Sequence, residues 1–290
     1  MLALVLDQTY YEPPRGSGMP ELPEITVIAR QMNRELKGNR IAEIEVKQLK
    51  ILNVPPKRFV KAVKGKTITN VSGRGKWLFV QLSSDGFILM NLGMGADLVH
   101  QTSKRDLTQE YHFRMAFKDG TGLTARFWWF GYVHFVEERD LDKHKMTSRL
   151  GISPTDKAFT ENHFKEMLAQ RRIGIKNFLM DQKNMAGVGN VYIQDILFRA
   201  RLHPNRRTTS LSQEEVHALY RAILKTLNRS IELGGLAYER DFYGRNGRFT
   251  SREFLVGYKE GKPCPVCGTT IKKIKTGSTA TYICTKCQAM

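Results

Sequence analysis

The amino-acid sequence predicts an α+β protein: a leading helix and an antiparallel β-sandwich, followed by a helical domain and a C-terminal β-hairpin. Three observations support this prediction. Short runs of β-forming residues, separated by turn signals, fill the stretch from residue 41 to residue 136, a spacing typical of an antiparallel sandwich or barrel. From residue 161 onward, apolar residues recur at helical spacing instead. All four cysteines fall in the last 27 residues.

Apolar residues at helical spacing predict a helix over residues 24–36, which Gly38 ends. The runs that follow are bounded by turn residues, and we expect each of them to be a strand. They cover residues 41–46, 67–71, 77–82, 86–90, 113–117, 123–127 and 132–136.

After residue 138 the pattern changes to charge-rich helices, predicted over residues 161–170, 191–200 and 213–233. Ser212 opens the third helix with Glu215 three residues later, which is a capping box. Residues 187–190 read Gly-Val-Gly-Asn, a tight turn whose backbone N–H groups and Asn side chain either bind an anion or only cap the next helix. Residues 234–252 read as a long irregular loop, and loops of this length within a domain tend to be functional.

The cysteines form two Cys-x-x-Cys pairs separated by sixteen residues. Two such pairs place four thiolates around one tetrahedral Zn²⁺, and the intervening residues suit a β-hairpin with Gly277 near its middle. We therefore predict a zinc ribbon with one structural zinc per chain, since four cysteines leave no open coordination position. Two disulfides in a secreted domain are the alternative. The predicted ligands are Cys264, Cys267, Cys284 and Cys287.

The chain of 290 residues has 46 basic and 28 acidic side chains, a formal net charge of +18. This excess indicates a polyanionic partner, and nucleic acid is the first candidate. The basic residues are spread along the chain, which disfavours an anionic membrane surface.

No apolar run reaches the roughly 18 to 20 residues of a membrane span, and the first six residues make a poor signal peptide. We expect a cytoplasmic protein without a membrane partner, whose predicted hairpin contacts a nucleic-acid backbone through Lys272, Lys273 and Lys275.

Residues 19–24 read Met-Pro-Glu-Leu-Pro-Glu, and Pro20 becomes a secondary-amine nucleophile once the methionine before it is removed. A chain-terminal amine titrates near ~8, below lysine, so part of it is unprotonated at neutral pH. Such an amine can form a Schiff base with a sugar aldehyde carbon, while Glu21 and Glu24 supply carboxyl groups that open a ring and move protons. The alternative is a proline-rich entry into a helix, with Pro23 at a first helical position.

Taken in order, these motifs resemble the formamidopyrimidine-DNA glycosylase family, bifunctional base-excision enzymes that remove oxidised purines and nick the abasic strand. The resemblance runs from Met19 to the C-terminus. Its motifs are Pro-Glu-Leu-Pro-Glu at 20–24, Gly-Arg-Gly-Lys-Trp-Leu at 73–78, Leu-Gly-Met at 92–94, Leu-Met-Asp-Gln at 179–182, Gly-Val-Gly-Asn at 187–190, Leu-Phe-Arg-Ala at 197–200, His-Pro at 203–204 and the zinc ribbon.

The resemblance assigns roles to four residues near the start of the chain. Pro20 is implied to be the nucleophile at the sugar C1′, and Glu21 the acid that protonates the sugar ring oxygen. Glu24 is implied to orient the site. Lys76 matches the family's catalytic lysine near the phosphate and the lesion; taken alone, it would be a solvated hairpin lysine.

The resemblance also implies contacts with DNA. Lys176 and Asn190 match phosphate contacts, with Asn190 in a helix-two-turn-helix element. Met94 matches the side chain that fills the gap left when the lesion is flipped out of the stack; taken alone, it would be a core methionine. The loop at 234–252 corresponds to the segment that covers the flipped base.

The chain departs from the family's pattern at several positions. Residues 126–131 read Arg-Phe-Trp-Trp-Phe-Gly where the family usually has Asp-Pro-Arg-Arg-Phe-Gly, so Phe130 is kept as a wedge but Trp128 replaces the arginine that faces the orphaned cytosine. Tryptophan stacks and does not pair with a base edge, so we expect a weaker preference for the opposite base. Thr279 replaces a phosphate-gripping arginine and Leu236 alters the loop opening, which leaves the preferred lesion open.

Eighteen residues precede Met19, and they leave Pro20 as an internal amide in the chain as written. We expect them to be a start-site artefact or a disordered extension, because codons for Arg15 and Gly16 can spell a purine-rich ribosome-binding sequence. The predicted divisions are an extension at 1–19, the sandwich catalytic domain at 20–138, a linker at 139–155, the helix-two-turn-helix domain at 156–252 and the zinc ribbon at 253–290.

The sequence thus predicts a bacterial-type, nucleoid-associated monomer that acts on damaged double-stranded DNA. It hydrolyses the N-glycosidic bond of an oxidised purine, of the 8-oxoguanine or formamidopyrimidine type, and then performs β,δ-elimination through a Schiff base on Pro20. The alternative is a non-catalytic or altered-specificity paralogue that binds damaged DNA. A zinc-ribbon protein on RNA or the ribosome would explain the charge and the cysteines but neither the 20–24 motif nor the 73–76 motif.

Overall fold

The computed structural model describes residues 18–103 and 110–290, and over these residues the predicted α+β fold is confirmed. The predicted extension lies outside the described residues up to residue 17. The helices are α1 Leu22–Leu36, α2 Pro56–Val63, α3 Glu161–Ala169, α4 Ile175–Met180, α5 Ile193–Arg199 and α6 Gln213–Glu232. The strands are β1 Ile41–Val46, β2 Ile68–Arg74, β3 Trp77–Leu82, β4 Gly86–Asn91, β5 Asp97–Gln101, β6 Phe113–Phe117, β7 Gly122–Arg126, β8 Tyr132–Glu137, β9 Lys272–Thr276 and β10 Thr279–Ile283.

The sandwich consists of two antiparallel four-stranded sheets, ordered β1-β6-β7-β5 and β2-β3-β4-β8. Their facing side chains share one core, in which Leu78 and Ile88 of one sheet join Phe113 and Leu123 of the other. Strand β3 is apolar on both faces, because Trp77 belongs to a second cluster on the outer face of its sheet. Its sequence therefore reads as an apolar run that only Gln81 interrupts.

Helix α1 packs its apolar side chains against β2 and connects the sandwich to the helical domain. It begins at Leu22, two residues before the predicted start, because Pro23 suits the first turn. The Glu21 backbone N–H donates to Glu24 Oε2 at 3.0 Å, which satisfies one of the N–H groups at the start of the helix. Ile25, Ile28 and Met32 lie in the sandwich core, whereas Leu22 lies in the core of the helical domain.

Helix α6 begins with the predicted capping box. The Glu215 N–H donates to Ser212 Oγ at 3.2 Å, and the Ser212 N–H donates to Glu215 Oε2 at 2.9 Å. The turn at 187–190 lies between α4 and α5, and the loop after α6 contains no helix or strand up to residue 252. No helix in the described part of the chain is long and apolar enough to span a membrane.

Of the α-helices and strands given above, three were not predicted from the sequence. Strand β5 has few apolar residues and forms by pairing with β7, a long-range contact that local pattern does not reveal. Helices α2 and α4 span only 8 and 6 residues, too few to show a clear helical period. Elsewhere the predicted bounds differ by a few residues, most clearly in β2, which continues to Arg74.

Candidate active site and nucleic-acid interface

The start of α1 is held against the turn at 187–190. Glu21 is 2% exposed, and its carboxyl group accepts hydrogen bonds from the Gly189 N–H at 2.9 Å and the Val191 N–H at 3.0 Å. The Leu22 N–H donates to the Gly187 carbonyl at 3.0 Å. The sandwich and the helical domain therefore meet at the carboxylate that the sequence assigned as a proton donor.

Lys76 reaches the same place from the turn between β2 and β3. Gly75 has a φ of +59°, which favours glycine at the tight turn. A Cβ atom on Gly189 would lie 2.1 Å from Glu21 Oε1 and 2.5 Å from Lys76 Nζ. Both side-chain groups therefore occupy the space next to the Cα atom of Gly189 that a side chain would fill. Burial raises the pKa of Glu21 above its ordinary value, although the Lys76 ammonium and the backbone N–H groups lower it. A carboxyl group with a raised pKa can serve as an acid at neutral pH.

Glu24 lies beside Glu21 and is 3% exposed. Its Oε1 accepts from the Tyr192 hydroxyl at 2.5 Å and from the Leu236 N–H at 3.1 Å, so it connects α1 to the loop at 234–252. Burial raises the pKa of Glu24 to about 7. The Tyr192 hydroxyl also lies 2.6 Å from Ser230 Oγ. Tyr192 and Ser230 were not singled out from the sequence, because the contact between Tyr192 and Glu24 joins residues 168 positions apart.

Pro20 is buried and directly precedes this pair of carboxyl groups. Gly18 lies against the loop: a Cβ atom on it would be 3.4 Å from Glu239 Oε1 and 3.5 Å from Tyr238 Cε2. The chain before Pro20 therefore passes across side chains of the loop that the family resemblance places over a flipped base.

The aromatic segment at 128–130 is exposed. Trp128, Trp129 and Phe130 are 59%, 63% and 68% exposed, and Phe130 has a φ of +61°. Met94 is half-buried and pairs with Trp129 through two backbone hydrogen bonds of 2.9 and 3.2 Å. The structure therefore places the predicted intruding methionine beside the exposed aromatic segment that contains the predicted wedge.

Lys176, which the resemblance matched to a phosphate contact, lies inside the protein. Its side chain is 1% exposed. Its ammonium, with three N–H donors, lies within hydrogen-bond distance of four oxygens: Thr276 and Thr281 Oγ1 at 3.0 and 2.7 Å, Thr279 Oγ1 at 2.7 Å and the Ala280 carbonyl at 3.2 Å. Burial lowers its pKa to about 8. Lys176 is thus an internal link between α4 and the hairpin, because the threonine hydroxyls surround it.

The other residues predicted to contact DNA phosphates lie in the turn before α5 and on strand β9. Asn190 is half-buried at the turn before α5, where its Oδ1 accepts from Gln194 Nε2 at 3.2 Å. Gln194 Nε2 also donates to the Ala280 carbonyl at 3.3 Å, which joins the turn to β10. The lysines of strand β9 are exposed: Lys272, Lys273 and Lys275.

The four cysteines of the hairpin converge, with their sulfur atoms within 4.8 Å of one another. The Cys267 and Cys284 sulfurs are 3.4 Å apart and the Cys264 and Cys287 sulfurs 3.8 Å apart. These distances are far longer than the ~2.05 Å of a disulfide, so the disulfide alternative is wrong. Tetrahedral Zn²⁺ with bonds of about 2.3 Å to each sulfur requires spacings of this order, and the cluster fits that ion.

Three family models match successive parts of the chain. Residues 19–128 match the formamidopyrimidine-DNA glycosylase N-terminal domain, residues 150–240 the formamidopyrimidine-DNA glycosylase H2TH domain, and residues 261–289 the zinc finger found in FPG and IleRS. Together with the paired carboxyl groups at the start of α1, they define the class of protein as a DNA glycosylase of base-excision repair.

The chain belongs to the formamidopyrimidine-DNA glycosylase family. It is 36% identical over 274 residues to the enzyme of that name from Pelotomaculum thermopropionicum and 33% identical over 277 residues to that from Bacillus subtilis, and each match covers 93% of this chain and 99% of the relative. The structure of Lactococcus lactis Fpg in complex with N7-benzyl-Fapy-dG DNA matches with a TM-score of 0.83 at 30% identity, covering 93% of this chain and 100% of that one. The Lactococcus lactis enzyme with abasic-site DNA also gives a TM-score of 0.83, at 29% identity.

Proposed function

We propose that this chain excises an oxidised purine from duplex DNA and then nicks the strand through a Schiff base on Pro20. The observation that carries this proposal is the Glu21 carboxyl group. It directly follows Pro20, is held by two backbone N–H groups and lies under the Lys76 ammonium. A proton donor and a cation next to an amine nucleophile match what glycosidic cleavage and phosphate elimination require.

In the proposed first step, the Pro20 nitrogen attacks C1′ of the damaged nucleotide and forms a C–N bond. The base leaves with the electron pair of its glycosidic bond and takes up the proton that the Pro20 nitrogen then releases. Glu21 gives its proton to the ring oxygen O4′, and the C1′–O4′ bond breaks as the nitrogen lone pair forms a second bond to C1′. The product is an iminium ion, because a secondary amine with a double bond to carbon carries a positive charge. The iminium then allows loss of the C2′ proton and the 3′ phosphate, followed by loss of the 5′ phosphate.

The amine must be free for this chemistry. Pro20 follows Met19 in the chain as written, so we propose that the active form begins at Pro20. Two findings support this proposal: the N-terminal family model begins at residue 19, and 93% of this chain matches 99% of its relatives.

We propose that the four cysteines hold one structural Zn²⁺ per chain. The ion would complete a tetrahedral set of four thiolates and fix the hairpin, so that Lys176 and the strand lysines keep their positions. For the DNA interface we propose Met94, Trp128 and Phe130 at the flipped nucleotide, with Asn190, Lys272, Lys273 and Lys275 at phosphates. The proposed form is a monomer in the cytoplasm, at the nucleoid and without a membrane partner.

Borohydride trapping tests the proposal, because it reduces an iminium to a stable amine link. We expect protein that begins at Pro20 to be trapped on DNA with an abasic site and on DNA with 8-oxoguanine. Protein that keeps residues 1–19 provides the matched control and should not be trapped. Equal trapping of both forms would exclude Pro20 as the nucleophile.

A further inference from the structure

An open groove of about 840 Å³ lies between α6 and the cysteine cluster, at the C-terminal end of α5. The residues that line it all lie between Phe198 and Cys287, so the groove does not involve the chain before Pro20. No acidic residue is among the described residues that line it. Its charged side chains are four cations: Arg199, Arg201, Arg221 and Lys225.

The protein itself does not neutralise these four cations. Arg229, one turn after Lys225 on α6, pairs with Glu253 at 3.0 Å. The four groove cations, in contrast, form no ion pair within residues 18–103 and 110–290. The buried Nε of Arg199 has no hydrogen-bond partner there either, and the nearby Asp195 carboxyl group accepts N–H groups of residues 255–257 instead. Since a buried donor without a partner costs free energy, an external acceptor at this end of the groove would be stabilising.

The groove also contains apolar side chains, which help to identify its ligand. Leu224 and Leu255 line it and are half-buried. Single-stranded nucleic acid requires exposed aromatic rings on which its bases stack, yet Phe198, the one aromatic residue among the described lining residues, is 4% exposed. A duplex offers phosphates and sugars but no apolar side chains to such a surface. Carboxylates interspersed with apolar side chains match both the charge and the apolar part of the groove.

The groove lies at the opposite end of α5 from the proposed phosphate contacts. Asn190 precedes the helix, and Gln194 in its first turn donates to the Ala280 carbonyl near the hairpin tip. Arg199 ends the helix, and Phe198 packs with the cysteine cluster. The seven residues of α5 separate the two ends by about 10 Å, so we expect the groove to stay free when DNA is bound at Asn190.

We propose that this groove is a docking site for an acidic segment of a partner protein, in which carboxylates alternate with apolar side chains. The carboxylates pair with the groove cations, and the apolar side chains cover Leu224 and Leu255. Arginine suits this role because its planar guanidinium group binds a carboxylate through two parallel hydrogen bonds. The partner is thereby held on the protein while the protein is on DNA. This inference does not depend on the chemistry proposed at Pro20.

The test measures, by fluorescence polarisation, how a fluorescein-labelled peptide of alternating Asp and Leu residues binds to zinc-loaded protein that begins at Pro20. The protein is first saturated with duplex that carries an uncleavable abasic-site analogue, because an acidic peptide can otherwise occupy the DNA site. We expect the peptide to bind to this complex. A peptide with Ser in place of Leu should bind at least about tenfold more weakly, since burial of one leucine side chain is worth that much.

Charge reversal locates the bound peptide. Arg221 and Lys225 are exposed and lie one turn apart on α6. Their joint replacement, Arg221→Glu with Lys225→Glu, should weaken peptide binding at least about tenfold, because like charges then face each other. Lys57→Glu with Lys61→Glu is the matched control, with the same spacing, exposure and change in net charge on α2. The control should bind the peptide nearly as the parent does, because salt screens exposed charges that lie more than about 10 Å apart.

Any of the following results would overturn the inference. If the peptide does not bind to the DNA-saturated protein, the groove is not a docking site that works on DNA. Equal peptide affinity of the two double variants would place the peptide elsewhere on the basic surface. If the Ser peptide binds as tightly as the Leu peptide, the apolar side chains take no part in recognition. If the Arg221 and Lys225 double variant binds lesion duplex more weakly than the control does, the groove is a contact for DNA phosphates instead.

Discussion

The Glu21 carboxyl group and the Lys76 ammonium group both lie next to the Cα atom of Gly189, in the space that a side chain there would fill. Glu21 comes from the start of α1, Lys76 from the turn between β2 and β3, and Gly189 from the turn before α5. The close approach is possible because Gly189 has no side chain. Three segments that are distant in sequence thus form one proton-donating site.

Gly189→Ala should therefore inactivate the enzyme. Its Cβ atom would lie 2.1 Å from Glu21 Oε1 and 2.5 Å from Lys76 Nζ, so one or both groups must move. We expect a loss of at least about 100-fold in excision rate, since misplacement by about 1 Å can cost that much. Gly174→Ala is the matched control, because its nearest neighbour would be 3.6 Å away. If Gly189→Ala excises at the parent's rate under single turnover, the close approach of Glu21 and Lys76 to Gly189 is not required for excision.

Glu21→Gln should abolish base excision and spare some lyase activity on a preformed abasic site. Glutamine keeps one acceptor oxygen for the N–H groups of Gly189 and Val191, loses the second acceptor and has no acidic proton. The pKa of Glu21 is raised, so the protonated acid is lost as pH rises through that value. Excision by the parent should accordingly fall on the alkaline side, while trapping on abasic DNA rises as the Pro20 amine deprotonates near ~8. Rates of both reactions across pH check this, and parallel profiles would contradict the acid role.

Much of the site could be predicted from the sequence because it is encoded in short motifs. The motif at residues 20–24 brought Glu21 and Glu24 together, and the paired Cys-x-x-Cys spacing predicted four converging sulfurs. In these two cases the chemistry depends on residue types at fixed local spacing, whereas Lys76 was assigned to the site only through the family resemblance.

Other features depend on contacts between distant segments and could not be read locally. Strand β5 exists because it pairs with β7, and Tyr192 matters because it reaches Glu24. The resemblance matched Lys176 to a phosphate contact, yet the threonines of a hairpin 100 residues later enclose it. Nothing in the sequence around Glu239 indicated a buried carboxyl group whose Oε1 has no hydrogen-bond partner among the described residues.

Removal of the metal should abolish DNA binding. The hairpin has a small core that includes Cys264, Ile271 and Cys284, too little to fold without its metal. We expect one zinc per chain by elemental analysis, and loss of both zinc and affinity for lesion duplex in Cys267→Ser. Val266→Ala is the control, since Val266 is exposed and is not a ligand. A metal-free protein with full affinity would remove the hairpin from the DNA interface.

Replacement of Trp128 should change the dependence on the opposite base. An aromatic surface stacks on every base, whereas an arginine pairs with particular base edges. We expect Trp128→Arg to excise the same lesion with a stronger cytosine preference than the parent, and Trp128→Ala to lose roughly 1 to 3 kcal/mol in affinity for lesion duplex. Thermal melts should be unchanged, because Trp128 is 59% exposed. A strong cytosine preference in the parent, measured opposite all four bases, would contradict this assignment.

The central claim is that the nitrogen of Pro20 forms the covalent bond to C1′. Protein that begins at Pro20 is reduced with borohydride on abasic DNA, digested, and mapped by tandem mass spectrometry. We predict that the sugar remnant is attached to the N-terminal peptide at Pro20. Attachment to Lys76, or to any other lysine, would contradict the mechanism.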